Sequence, residues 1–530
     1  MSQKISMFSL FMIAVGSMVG SGWLFGSLYS AKIAGPAALV SWFLGAACVC
    51  IIAIIYAEVS TMLPVAGGSV TYMRLSHGQF AGFMFAWITW MWTMIVPPIE
   101  ASAAVQYASN YIPGLVQTME GTHHLTGMGI AAACTLLLLL TVINILGLKW
   151  LTKSNNIITF FKLIIPIGVA ILLIVKSDFN FSHFTAEKTG GFMPYGLDSV
   201  VSALSGGAIA FSFFGFQAII FLGKEAHNPQ RSIPLALFGG LAFCTVMYIL
   251  LQAGFIMSIP ESALVNGWKN LSFAGDAGPF AGILAGLGFA WMVYILNTDA
   301  VLSPTGTANG YVAAASRILY SMGLQKDAPQ WLVKLNRSHI PQVAILFNFC
   351  IGMLFFLPFG GWQSMVAFLS SAIVLTLASA PLCLPIFRKF HPDLYRPFKV
   401  PMLHISCFVA FYVCNLLLFW AGWKTLSKLY IVIAAGIVIY TLSYMLKWMP
   451  RPNSLDLKSC LWFPAYLLFS GLLSYYGPFG GGLGVFDVFA GFAYVACSSI
   501  VIYVWAQCSA LSIERGQSEL AMINAKQPLL

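Results

Sequence analysis

The chain has 530 residues, 59% of them hydrophobic and only 8% charged, with a formal net charge of +10. Soluble domains carry about a quarter charged residues, so a water-facing surface of this size is excluded, and lipid is the solvent that suits the apolar side chains. Nucleic-acid binding is excluded as well, because the basic residues are scattered through short connecting segments and form no single patch.

A helix needs about 20 apolar residues to cross the hydrocarbon core. Such stretches recur at 7–31, 37–63, 80–111, 127–148, 155–175, 198–222, 234–259, 280–322, 341–358, 363–387, 401–422, 429–448, 458–476 and 484–508. Strands of a membrane barrel would be about 10 residues long and alternate polar with apolar side chains, which these do not. The predicted fold class is therefore all-α and integral to the membrane, with about fourteen spans.

With the N-terminus inside, nineteen of the 26 Lys and Arg residues fall in cytoplasmic segments, six fall outside, and Lys162 lies within the fifth span. That asymmetry follows the positive-inside rule and predicts a multi-pass protein of the cell (inner) membrane with both termini cytoplasmic. The apolar N-terminal run leads into further spans and reads as a retained first helix. The segment around Met449-Pro450-Arg451-Pro452-Asn453 is the predicted seam between a core over 1–450 and an added pair of spans over 451–510. Residues 511–530 are expected to be a loose cytoplasmic tail. The eleven cysteines form no CxxC pair and lie in or beside apolar spans, so they read as packing residues, and neither a metal nor a cofactor is expected.

Two spans are interrupted. The first contains Gly16-Ser17-Met18-Val19-Gly20-Ser21-Gly22, and the sixth contains Ser205-Gly206-Gly207 followed by Phe211-Ser212-Phe213-Phe214-Gly215-Phe216-Gln217. Glycine weakens a helix by about 1 kcal/mol relative to alanine and lets backbone approach a ligand closely. Tight helix packing explains either stretch alone. Spans 1 and 6, however, are equivalent positions in two five-helix repeats, and paired broken helices mark the substrate sites of inverted-repeat transporters. Half-helix N-termini offer N–H groups to a carboxylate and half-helix C-termini offer carbonyls to an ammonium, which suits an α-amino acid.

The order of motifs along residues 1–450 resembles the amino acid–polyamine–organocation (APC) superfamily. The resemblance is carried by the stretch Val15 to Phe25, by Tyr56-Ala57-Glu58 through Pro64-Val65-Ala66-Gly67-Gly68, and by Glu225-Ala226-His227-Asn228-Pro229. Further matches are Ser316-Arg317-Ile318-Leu319-Tyr320 and Arg396-Pro397-Phe398-Lys399-Val400-Pro401. The fourteen spans and Ser303-Pro304-Thr305-Gly306-Thr307 are similar to the aspartate:proton symporter branch. The resemblance implies a LeuT-type fold, with two inverted five-helix repeats followed by accessory helices. It implies that Ser17, Met18, Gly20, Ser21 and Gly22 receive the substrate carboxylate, and that carbonyls near Phe211, Ser212 and Phe214 receive its ammonium.

Ionisable residues inside spans are costly and are functional candidates. Lys162 lies roughly 10 Å deep at 1.5 Å per residue. The family places a lysine here against the broken first helix, where sodium-coupled relatives hold a cation; the plainer reading is a lysine snorkelling to headgroups. Ser303 and Thr305 are the competing feature, as hydroxyls that would serve sodium. Glu100 in span 3 and Asp299 in span 8 occupy equivalent repeat positions and are candidates for proton coupling, substrate selection or structural hydrogen bonding. Glu58 is expected to tie span 2 to loop backbone, and Glu225 with Arg231 to form a cytoplasmic pair.

These features point to a secondary transporter that imports amino acids, by proton symport, with acidic ones such as aspartate or glutamate as candidate substrates. Its partners are then the amino acid, protons and the bilayer. An exchanger of the same fold is the alternative. A channel would need a continuous polar lining, and an enzyme a clustered nucleophile, metal site or acid–base pair; the sequence displays neither.

Overall fold

The computed structural model describes residues 5–63, 69–119, 122–147, 149–177, 181–221, 227–357, 359, 361–396, 398–446 and 454–526. The first predicted span is two helices, α1 (Met7–Met18) and α2 (Gly22–Ala34), and Ser6 caps the first by accepting the Ser9 N–H at 3.2 Å. Next come α3 (Ala38–Met62), the short α4 (Ser69–His77) and α5 (Gln79–Ala108). A two-stranded antiparallel hairpin, β1 (Val116–Met119) and β2 (Thr122–Leu125), precedes α6 (Gly127–Leu146) and α7 (Lys149–Lys176).

The sixth predicted span is also broken, into α8 (Gly196–Gly206) and α9 (Ile209–Ile220), bent by 48°. It is followed by α10 (Pro229–Ser258), the short α11 (Pro279–Gly286) and α12 (Ala290–Leu324). The remaining helices are α13 (Gln342–Leu354), α14 (Trp362–Leu377), α15 (Ser379–Phe390), α16 (Leu403–Ala421) and α17 (Trp423–Met445). Last are α18 (Ser454–Ser459), α19 (Trp462–Tyr476), α20 (Val488–Cys508) and α21 (Ile513–Lys526).

Among the described residues ten helices are long and apolar enough to cross a membrane, or eleven if the bent pair α8–α9 counts as one. The fourteen predicted spans include three that length and apolarity do not single out. The first is interrupted, the eighth (α12) carries Asn297, Thr298, Asp299 and Ser303, and the ninth (α13) is only 13 residues long. The total of fourteen is thus a property of the proposed topology. The predicted span 280–322 begins too early: Pro279–Gly286 is a separate short helix, because Gly288 (φ +82°) turns the chain before α12.

Chain-distant contacts sort the helix ends onto two faces. At the face bearing the N-terminus, the His227 N–H donates to the Ile5 carbonyl at 2.8 Å and Arg74 Nη1 meets Asp327 Oδ2 at 2.8 Å. At the opposite face, His123 Nε2 meets Asp276 Oδ1 at 3.2 Å and the Lys424 N–H donates to the Gly480 carbonyl at 2.8 Å.

The added pair α19 and α20 seats on α16 through buried polar contacts. Tyr466 Oη donates to Asn415 Oδ1 at 2.6 Å, and Asn415 Nδ2 donates to Ser499 Oγ at 2.8 Å. Side-chain hydrogen bonds of this kind join helices where the surrounding solvent is apolar. The C-terminal segment expected to be loose is helical over Ile513–Lys526 and packs on α4 and α15, so docking supplies the order that its polar sequence does not. The Pro64–Gly68 motif, Glu225 and the 449–453 seam lie outside the described residues.

Candidate functional site

The α1–α2 interruption is short. The Val19 N–H closes the last turn of α1 on the Val15 carbonyl at 2.8 Å, and Gly22 opens α2. Between them the Ser21 N–H points at Glu100 of α5, 3.1 Å from Oε2 and 3.4 Å from Oε1. Glu100 is 1% exposed. Such a carboxylate is tolerated in apolar surroundings only where donors meet it, and the free N–H groups at a helix start are such donors. Gly20 makes the approach possible, since a Cβ there would lie 2.8 Å from Glu100 Oε1. On the other side, Trp362 Nε1 donates to Ser21 Oγ at 2.9 Å.

The α8–α9 interruption falls at Gly207 and Ala208, the latter at φ +63°, and a 3-10 turn follows at Phe214–Phe216. Gly215 lies directly against the Ser17 carbonyl, leaving no room for a side chain. The Tyr248 hydroxyl of α10 shares its proton between the Met18 carbonyl at 2.9 Å and the Ser212 carbonyl at 3.1 Å, which joins the two interruptions. Gly22 faces the Phe211 ring, where a Cβ would lie 3.1 Å from Cδ1. Ser212 Oγ donates to the Ala208 carbonyl at 3.0 Å, and Phe214 is buried in the 3-10 turn.

The structure therefore brings together Ser17, Met18, Gly20, Ser21, Gly22, Phe211, Ser212 and Phe214. Of the carbonyls expected to meet an ammonium, Ser212's already accepts from Tyr248. Toward the face opposite the N-terminus the space is closed by rings. Phe25 and Trp362 lie 4.7 Å apart, Tyr29 and Trp362 5.8 Å, and Phe211 and Trp362 6.0 Å.

Lys162 points inward rather than to a headgroup. It is 3% exposed, and its Nζ donates to Thr307 Oγ1 at 2.6 Å and to the Gly16 carbonyl at 3.5 Å. It thus spans from α7 to both α1 and α12. Gly16 lets α1 come this close, because a Cβ would lie 2.8 Å from Thr159 Cγ2. The charges of Glu100 and Asp299 both act on Lys162. Asp299 is 4% exposed, and its Oδ2 has no hydrogen-bond partner among the described residues. Ser303 is fully buried, whereas Thr305 is half-buried and donates to its own helix at the Val301 carbonyl, 2.6 Å away. Thr307, one turn beyond Ser303, is the hydroxyl that meets the lysine.

Glu58, expected to bond loop backbone, accepts the Val400 N–H at 2.6 Å and also takes both arms of the Arg388 guanidinium, at 2.7 and 2.6 Å. Sequence reading missed Arg388, Thr307, Tyr248 and Trp362. The one available signal was their polar atoms within apolar stretches, which does not say which helix each one meets. No group of three or more His, Cys, Asp or Glu side chains converges among the described residues.

A predominantly helical membrane protein whose two broken helices meet at their interruptions, with a buried lysine against the first of them, has the arrangement of carriers built around a mid-membrane site. The sequence profile of the amino acid permease family matches residues 5–445, and the chain belongs to that family, within the APC superfamily. It is a transporter and not an enzyme. It is 36% identical over 521 residues to the glutamate/serine transporter AimA of Bacillus subtilis (strain 168), covering 97% of this chain and 95% of that one. It is 32% identical over 516 residues to the aspartate-proton symporter of the same organism, covering 96% and 97%. The branched-chain amino acid permease BcaP of that organism is 24% identical over 459 residues, covering 83% of this chain and 93% of its own.

Proposed function

We propose that the protein imports an amino acid across the cell membrane together with a proton, and that its substrates are acidic or small polar amino acids. The observation that carries this reading is the reach of Lys162 from α7 to the Gly16 carbonyl of α1 and to Thr307 of α12. An ammonium holds both partners at once, and the neutral amine, with one hydrogen fewer and no charge, holds them weakly. Protonation of Lys162 thereby sets how firmly the broken first helix is held against α12. A sodium ion in the same place would be repelled by the ammonium, so the two couplings exclude each other.

Glu100 adds a second step. Its carboxylate holds the Ser21 N–H, the donor that a substrate carboxylate would need. Two carboxylates at one helix start repel each other, and a proton on Glu100 removes that conflict. Asp299 is the third member, a buried carboxyl within the field of Lys162 whose Oδ2 has no hydrogen-bond partner among the described residues. The site residues then have distinct roles: Ser17, Met18, Gly20, Ser21 and Gly22 at the substrate carboxylate, carbonyls of Phe211, Ser212 and Phe214 at its ammonium, and Lys162, Glu100 and Asp299 in proton coupling.

Two relatives described as a glutamate/serine transporter and an aspartate-proton symporter support the substrate class. The same reading takes residues 1–450 as the carrier core, 451–510 as an added pair of spans and both termini as cytoplasmic. It is tested with purified protein in liposomes that hold no amino acid, given labelled aspartate, glutamate or serine. Accumulation driven by an inward proton gradient without sodium is expected. Uptake that requires amino acid preloaded inside would make the protein an exchanger, and uptake that requires sodium would remove the lysine from the coupling step.

A further inference from the structure

Residues beyond 445 lie outside the stretch matched by the permease family, yet they fasten directly onto its N-terminal face. The Leu511 N–H donates to the Ser76 carbonyl of α4 at 2.9 Å, and Gln517 Nε2 donates to the Phe390 carbonyl at the end of α15 at 3.1 Å. Gly516 lies against the Phe390 ring, where a Cβ would be 2.5 Å away. Arg515 Nη2 meets Asp456 Oδ1 at 2.7 Å, and Asp456, 4% exposed, also accepts the Gln79 N–H at 3.4 Å at the start of α5. Gln507 Nε2 donates to the Leu382 carbonyl of α15 at 2.6 Å. The tail therefore touches α4 and α15 directly, and reaches the start of α5 through Asp456 of α18.

Those are the elements that the face's other ion pairs already hold. Arg74 of α4 pairs with Asp327 just past α12, and Arg388 of α15 pairs with Glu58 of α3. α4 and α15 meet at Cys383, whose Sγ lies 3.1 Å from Ser76 Oγ and 3.4 Å from Met73 Sδ. Opening a path from the site to this face must separate some of these helix ends. The tail helix carries two acids and two bases, Glu514, Arg515, Glu519 and Lys526, so an anionic lipid surface has no net charge to attract. Its docking is specific to the protein.

We propose that residues 509–526 form a clasp that holds α4 against α15 and so governs how readily the carrier opens on its N-terminal face. The proposal rests on the carrier reading, but its readout requires no substrate, so the two fail separately. The test is the rate at which N-ethylmaleimide modifies Cys383 in the full-length purified protein with its ten other cysteines replaced by alanine. Arg515→Glu puts like charge against Asp456, Gly516→Leu collides with Phe390, and truncation after Ser512 removes the helix. Each is expected to speed the modification by about tenfold, the factor that roughly 1.4 kcal/mol makes in an opening equilibrium. Arg515→Lys should keep Cys383 as protected as in the parent. The same lesions, in protein retaining Cys244 alone, should leave that buried thiol at its parent rate. Unchanged reactivity of Cys383 overturns the proposal. Equal acceleration of Cys244 overturns it as well, because the tail would then stabilise the whole fold and not one face.

Discussion

Ser21 and Glu100 meet because nothing but a hydrogen occupies the side-chain position of Gly20. A larger residue there must push the Glu100 carboxylate, 2.8 Å from the position of a Cβ, off the start of α2. Gly20→Leu is therefore expected to lose substrate binding by at least about tenfold while the protein still purifies as a folded species. Binding at the parental affinity, measured by substrate-dependent thermal stabilisation, would reduce Gly20 to a packing residue. The glycine pattern was legible in the sequence because it recurs in spans 1 and 6, equivalent positions of two five-helix repeats, where packing explains either stretch alone but not their pairing. Thr307 was not legible. Helical residues turn by about 100° each, so the two positions separating Thr305 from Thr307 face roughly opposite ways, and only the packed neighbour decides which one reaches Lys162. Tyr248 and Trp362 were hidden for a related reason: each is an aromatic in an apolar stretch until its hydroxyl or indole N–H is seen to meet a carbonyl or Ser21.

At the scale of elements, both interruptions lie where glycines cluster in spans 1 and 6. The second bends the span by 48°, and there Ala208 takes a left-handed conformation that few residues other than glycine adopt. The helix ends on the N-terminal face are held by ion pairs that hydropathy does not reveal. Glu58 is fully buried, and Arg388 supplies two of its hydrogen bonds. Arg388→Ala strands that carboxylate and is expected to destabilise the fold by about 3–5 kcal/mol. The thermal midpoint in detergent should fall clearly, and less so for Arg388→Lys, which keeps the charge but loses the two-armed geometry. An unchanged midpoint would contradict the role of this pair. The tail helix was misread because helix formation by so short and polar a segment depends on tertiary contact, here with Phe390, Ser76 and Asp456, none of which is close to it in sequence.

For the molecule as a whole, the proposed topology has an even number of crossings, a reading supported by the charge asymmetry of the sequence. Single cysteines on a cysteine-free background test that arrangement. Met119→Cys and Val485→Cys replace exposed residues that the proposed topology puts outside, while Tyr395→Cys replaces an exposed residue that it puts inside. In intact cells the first two should react with an impermeant thiol reagent and the third should not; a reactive position 395 would invert or break the topology. Composition and span length made the membrane class plain, and motif order made the family plain. The coupling ion is not written in either, since the contact that supports the proton reading joins one ammonium to partners on two other helices.

The most direct test of that coupling is the proton movement itself. Purified protein is placed in sodium-free liposomes containing a pH-sensitive dye, with no initial pH gradient, and substrate is added outside. The account predicts acidification of the lumen that follows substrate influx in the parent protein. In Lys162→Ala it predicts no acidification, while exchange of labelled for unlabelled substrate persists. Substrate influx without lumenal acidification in the parent, or acidification that persists in Lys162→Ala, would contradict it.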